Sequence, residues 1–165
     1  MKFVKKIITC ITFTACFGGT SIAIAANPVE MAHKFGFSGC DSLIERSFDL
    51  AIKSQNSLFS IYYVDETSSD SIDIVATFGS PGDTVFQTIH FEKRGDSCYS
   101  VQRSLISGQW NCAGSLSKDE NFKYTNDAAG ALWSKNKGGV GKILIQSGDT
   151  CNEIYITSDI EKIRY

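Results

Sequence analysis

This chain of 165 residues is most informative in what it lacks. Only two histidines, His33 and His90, are present, so any Ser/His or Cys/His catalytic arrangement has to use one of them as its base. No Gly-x-Ser-x-Gly elbow accompanies either one. His90 alternates with Ile89 and Phe91, the pattern of a histidine on a sheet face. The acidic calcium-loop pattern D-x-[DN]-x-[DN]-G is missing, and the four cysteines beyond residue 26 are spaced by 58, 14 and 39 positions rather than as C-x2-C pairs, which argues against zinc. A phosphate loop is approached and then refused. In "WSKNKGGVGKILI" Asn136 stands where the first glycine of G-x-x-x-x-G-K-[ST] belongs and Ile143 where the hydroxyl belongs. No nucleotide, metal or other cofactor is expected.

The first residues carry the one targeting signal. Lys2, Lys5 and Lys6 form a basic start, residues 7–17 an apolar run too short to span a bilayer, and Ala23 to Ala26 a small-residue cleavage site. Residues 1–26 therefore read as a cleaved export signal and residues 27–165 as one domain, placed in the periplasm. Lipidation at Cys16 is the rival reading, with Phe13 where a leucine is wanted. No later apolar run approaches the roughly 20 residues of a membrane helix, so no stable membrane anchor is expected.

The chain has 16 basic and 18 acidic residues; the first 26 residues take three lysines and no acid, leaving 13 against 18 and a net charge of about −5. That sign makes nucleic acid an unsuitable partner. It suits both plain solubility and encounter with a basic protein surface. Cys40, Cys98, Cys112 and Cys151 are an even set in an oxidising compartment and read as two disulfides. Three pairings are open. The preferred one joins Cys98 to Cys112 across a hairpin and Cys40 to Cys151.

Residues 41–55 carry Ile44, Phe48, Ala51 and Ile52 on one helical face, with Ser42 and Glu45 as a capping box. Five β-branched and aromatic runs follow, from "SLFSIYYVDE" to "GQWNCAG", and then a polar segment from Ser115 to Gly130. "GKILIQ" and "CNEIYIT" form a last hairpin around Ser147, Gly148 and Asp149. The predicted class is α+β: an N-terminal amphipathic helix on a twisted antiparallel sheet of about six to eight strands, open or rolled toward a barrel. No internal repeat is apparent.

With no catalytic constellation, attention passes to surfaces. Paired acids among Asp65, Glu66, Asp70, Asp73 and Asp83 could do hydrolytic work beside His90, but solvated turn acids are commoner. Tyr124, Trp133, Lys135, Lys137 and Lys142 place aromatic anchors beside cations on a glycine-rich loop, the residue types that dominate binding hot spots. The bland alternative is a solvated hairpin loop with Trp133 buried beneath it. The stretch "KYTNDAAGALWSKNKGG" resembles the loop of the bacterial periplasmic inhibitors of C-type lysozyme, small exported β-barrels with a Tyr-x-x-x-Thr-Lys-Gly type motif. On that resemblance Trp133 and Lys135 stand near the motif's aromatic and lysine. Ser134 replaces the threonine, and Asn136 and Lys137 separate Lys135 from Gly138. Periplasmic immunity proteins are similar in size, export signal and disulfide count. The resemblance implies a non-enzymatic protein that binds a toxin or a peptidoglycan hydrolase. An envelope module with another ligand is the alternative, and a hydrolase using His90 the third reading.

Overall fold

The computed structural model describes residues 27–64, 69–80 and 83–163. The expected export signal with Cys16, and the acids Asp65 and Glu66, lie outside the described residues. Three short helices come first: α1 (Pro28–Lys34), α2 (Asp41–Ser47) and α3 (Asp49–Lys53). A four-stranded meander follows, β1 (Leu58–Val64), β2 (Ser71–Ser80), β3 (Asp83–Arg94) and β4 (Ser97–Gly108). Then come α4 (Cys112–Lys118) and a second meander, β5 (Phe122–Ala128), β6 (Ala131–Asn136), β7 (Gly141–Ser147) and β8 (Thr150–Lys162). All the strands join one eight-stranded antiparallel sheet in the order β1-β2-β3-β4-β8-β7-β6-β5. Its outer strands β1 and β5 do not pair with each other, so it is open and not a barrel. Among the described residues no helix is long and apolar enough to cross a membrane.

That strand order is a palindrome. The last strands of the two meanders, β4 and β8, pair along the middle from Ser97↔Lys162 to Gly108↔Cys151. A pseudo-twofold axis at the Arg103↔Ile156 pair therefore relates the halves. A repeat of only four residues marks it, too short to stand out in the sequence by itself: Gly95-Asp96-Ser97-Cys98 returns as Gly148-Asp149-Thr150-Cys151, 53 positions later. In both halves the turn Gly-Asp opens the final strand, and a cysteine in its second position bonds to a cysteine at a helix start. Both outer strands also carry the same irregularity, a register shift after Ile61 in β1 and after Tyr124 in β5. Such bulges on exposed edges discourage sheet-to-sheet pairing.

The disulfides are Cys40–Cys98 and Cys112–Cys151, one within each half. The expected Cys98 to Cys112 staple and Cys40 to Cys151 link are not formed. The reason is the length of β4: Cys98 stands second in it and Cys112 follows its end, a separation of roughly 30 Å at strand rise. For the same reason "GQWNCAG" is no fifth strand. Gly108 ends β4, Asn111 caps α4 by accepting from the Gly114 N–H, and Cys112 is already helical.

Residues 41–55 form two short helices, broken at Phe48, rather than one. The Phe48 ring is fully buried against Phe59 at 5.5 Å and Phe91 at 6.1 Å, and it draws the chain inward at the break. Leu43 joins Ile44, Phe48 and Ala51 in the core, whereas Ile52 is exposed. The Ser42 and Glu45 capping box is absent. Cys40 is the N-cap, and Ser42 instead donates to Glu161 of β8 at 2.5 Å. Arg46 reaches the same strand, pairing with Asp159 at 2.9 Å and Glu161 at 3.1 Å.

Candidate functional site: an open sheet face

Alternation along each strand sends successive side chains to opposite faces. One face receives the helices. In the first half Ile72, Ile74, Ile89 and Phe91 meet Leu43, Ile44 and Phe48 there; in the second, Leu144 meets Cys112 and Leu116 of α4. The helices place their buried side chains on this one face, and among the described residues the other is left open.

Across the open face the register lines up an apolar row. Phe86 pairs with Leu105, Leu105 with Ile154, Ile154 with Ile143, and Ile143 with Trp133. Phe86 is 41% exposed and Trp133 45%. The next row holds Arg103 opposite Ile156, then Gly141, Lys135 and Lys123. Arg103, Lys123 and Lys135 are exposed, and among the described residues none of them has an ion-pair partner. The arrangement is an aliphatic and aromatic stripe edged by three free cations, on a chain whose overall balance is acidic.

The pseudo-symmetry makes the stripe stand out. The first-half counterparts of Ile143 and Trp133 are His90 and Asp73, which pair across β3 and β2, with Nδ1 2.6 Å from the Asp73 carboxylate. This is the sheet-face histidine expected from its alternation. Asp73 lies seven positions along β2 from Ser80, the partner of Asp83, so the two acids are roughly 20 Å apart at strand rise. That is far beyond the spacing of about 5 to 9.5 Å a glycosidase pair requires. Asp70 lies 3.5 Å from the Lys93 ammonium. Among the described residues no group of three or more His, Cys, Asp or Glu could hold a metal.

Beneath the helix-bearing face of the second half the polarity is reversed again. Lys142 is 3% exposed and sits 3.0 Å from Glu153 and 3.1 Å from Asp119, with the Phe122 and Tyr155 rings at 5.3 and 5.2 Å. Glu153 also accepts from Tyr155 at 2.7 Å, Ser115 at 2.9 Å and the Trp110 indole at 3.2 Å. Gly108 makes the last contact possible: the Trp110 ring lies over it, and a Cβ there would come within 1.4 Å of the ring. Burial opposes the charge on Lys142, but the hydrogen bonds of Glu153, Tyr155 and Asp119 outweigh it and hold the ammonium above the ordinary lysine range. Burial likewise opposes ionisation of Glu153, and donation from Tyr155, Lys142 and Ser115 holds it below the usual carboxylate range. With every member satisfied, the cluster is a structural ionic core.

The expected binding loop from Tyr124 to Lys142 is for the most part sheet. Trp133 and Lys135 lie in β6 on the open face, within the stripe and beside it. Lys137 is exposed in the β6–β7 turn. Tyr124 belongs to the opposite face of β5, where its hydroxyl donates to Asp127. Lys142 is corrected outright, since it is buried and ion-paired and cannot enter an interface. Phe86, Arg103, Leu105, Ile143 and Ile154 were not foreseen. One signal was available: Ile143-Leu144-Ile145 is apolar at three successive positions, which a strand with one solvated face does not need. Compared with family models, with curated proteins and with solved structures, the chain matches none of them.

Proposed function

We propose that the open face is a protein-docking surface, and that the chain neutralises a toxin or a cell-wall hydrolase in the periplasm by covering a functional part of its surface. The observation that carries this reading is the exchange of polarity in the second half. An aromatic and aliphatic stripe is displayed where the first half shows His90 and Asp73, while charge is hidden beneath the helix side. Trp133, at 45% exposed, leaves much of its ring out of the core, and a role outside the fold accounts for that placement. Apolar rows of this kind mark interaction sites. Trp133 and Arg103 are of the residue types that dominate hot spots.

The chemistry of the face suits a partner of one character. A surface complementary to this one has an apolar centre beside carboxylates that meet Arg103, Lys123 and Lys135. Clefts of peptidoglycan hydrolases, with their catalytic acids, have that character. Lys135 is the cation best placed to enter one, next to Trp133.

The test begins with lysis assays of cell-wall suspensions by a C-type lysozyme and by other peptidoglycan hydrolases, with and without residues 27–165. Affinity capture from periplasm and from the secretions of competing bacteria runs in parallel. Against the purified target, Trp133→Ala and Arg103→Ala should each weaken binding about thirtyfold, near 2 kcal/mol, without moving the melting temperature. Both variants binding as the parent does would remove the stripe as the interface. A captured partner that is neither toxin nor hydrolase would favour an envelope module instead.

A further inference from the structure

The helix-bearing face has a gap at its centre. Helices α2 and α3 overlie the first half, but α4 ends at Lys118 and the chain enters β5 at Phe122, so the second half has no counterpart of α3. The middle of β4 and β8 is left as the floor of a groove of about 640 Å³, within the range of roughly 300 to 1,000 Å³ typical of small-ligand sites.

Its floor is polar and uncharged. Ser100, Gln102 and Ser104 project from alternate positions of β4, with Thr157 and Tyr155 beside them on β8. Ser100 is only 4% exposed, and its hydroxyl and that of Thr157 have no hydrogen-bond partner among the described residues. No fully enclosed side-chain polar atom among those residues is left unbonded, so the Ser100 hydroxyl opens into the groove. Gln102 donates to Ser104 at 3.0 Å, which leaves its carbonyl oxygen free to accept. The rim is apolar on one side, with Leu50, Phe78, Val85 and Ile106. The charges at the edge are already neutralised, Arg46 by Asp159 and Glu161, and Asp49 by Lys53 at 2.7 Å.

We propose that this groove binds a neutral saccharide. A charged ligand would find no free counter-charge. A fatty acyl chain would strand the hydroxyls of Ser100 and Thr157 in an apolar contact. An extended peptide could not add to the sheet, because β4 and β8 are central strands whose backbone groups are used in the ladder. A pyranose ring offers what the groove asks for: hydroxyls that both donate and accept along one edge, and a C–H face for the apolar wall. The groove lies on the face opposite the Trp133 stripe, so this site is independent of the docking proposal.

The test uses ¹⁵N-labelled protein of residues 27–165, titrated with a tetrasaccharide of N-acetylglucosamine and separately with maltotetraose. At least one sugar should give saturable amide shifts confined to residues 46–50, 100–106 and 155–159. Ser100→Ala with Thr157→Val removes both hydroxyls without adding bulk to the groove and should weaken that binding at least about tenfold. Trp133→Ala should leave it alone. Shifts that fail to saturate by about 20 mM sugar, shifts mapping to the open face, or unaltered binding by the double variant would each overturn the assignment.

Discussion

The two halves share a topology and differ in where they keep their charge. In the first, the helix-covered side is a phenylalanine and isoleucine core and the open side carries His90 and Asp73. In the second, Lys142 occupies the place of Ile89 and Glu153 that of Ser100, while Ile143 and Trp133 face outward. One backbone thus accepts opposite polarity on its two faces, provided that each buried charge has its partners. The first half shows what the fold requires, and the second shows what has been added to it.

The hardest way to break the comparison is to move the charge without its partners. Ile89→Lys puts an ammonium into the first half opposite Gln102, where Ser100 stands in place of Glu153. A cost of about 4 kcal/mol or more is expected, enough to leave the chain unfolded or insoluble. Circular dichroism showing a native melt for this variant would mean that the two cores are interchangeable.

A smaller effect sharpens it. Lys142→Ile alone leaves Glu153 and Asp119 short of their cation and should cost about 3 kcal/mol. Adding Glu153→Ser puts at both positions the residues, Ile89 and Ser100, that the other half carries there. The double variant should then cost at least about 1 kcal/mol less than the sum of the single changes, measured by urea denaturation. Strict additivity would mean that the ions do not act as a unit.

The smallest effect is the pH response of the second half. The carboxylates of Glu153 and Asp119 ionise below their ordinary values when folded. Their contribution is therefore complete above the unfolded carboxylate pKa near 4 and is lost as pH falls through the depressed folded values. Lys142 is raised, so its contribution holds below the unfolded lysine value of about 10.4 and is lost as pH rises through the folded one. The Lys142→Ile and Glu153→Ser double variant should flatten both limbs of a plot of stability against pH; unchanged limbs would place the titrating groups elsewhere.

The sequence made some of this legible and hid the rest for physical reasons. The strands of the first half and the final hairpin announced themselves by alternation, because their buried positions are apolar. Strands β5 and β6 did not. Nearly all of β5 is exposed, and its turn uses Ala129 at φ 51° before Gly130 at φ 80° in place of an Asn-Gly signal. Polar composition therefore read as a loop. Lys142 misled for the same reason, since a lysine is normally a surface residue and only Asp119 and Glu153, distant in sequence, make its burial tolerable. Trp133 and Lys135 were picked out by residue type, but the rest of their face is assembled by register between strands, which single-strand patterns do not carry.

The pairing of the cysteines has a consequence for how the chain reaches this state. Each bridge joins neighbours in order of appearance, the first with the second and the third with the fourth. For a chain delivered N-terminus first into an oxidising space, Cys40 meets Cys98 before Cys112 has arrived, and Cys112 then has only Cys151 left to take. Oxidation in order of arrival therefore leads to the native connectivity with no bond left to reshuffle.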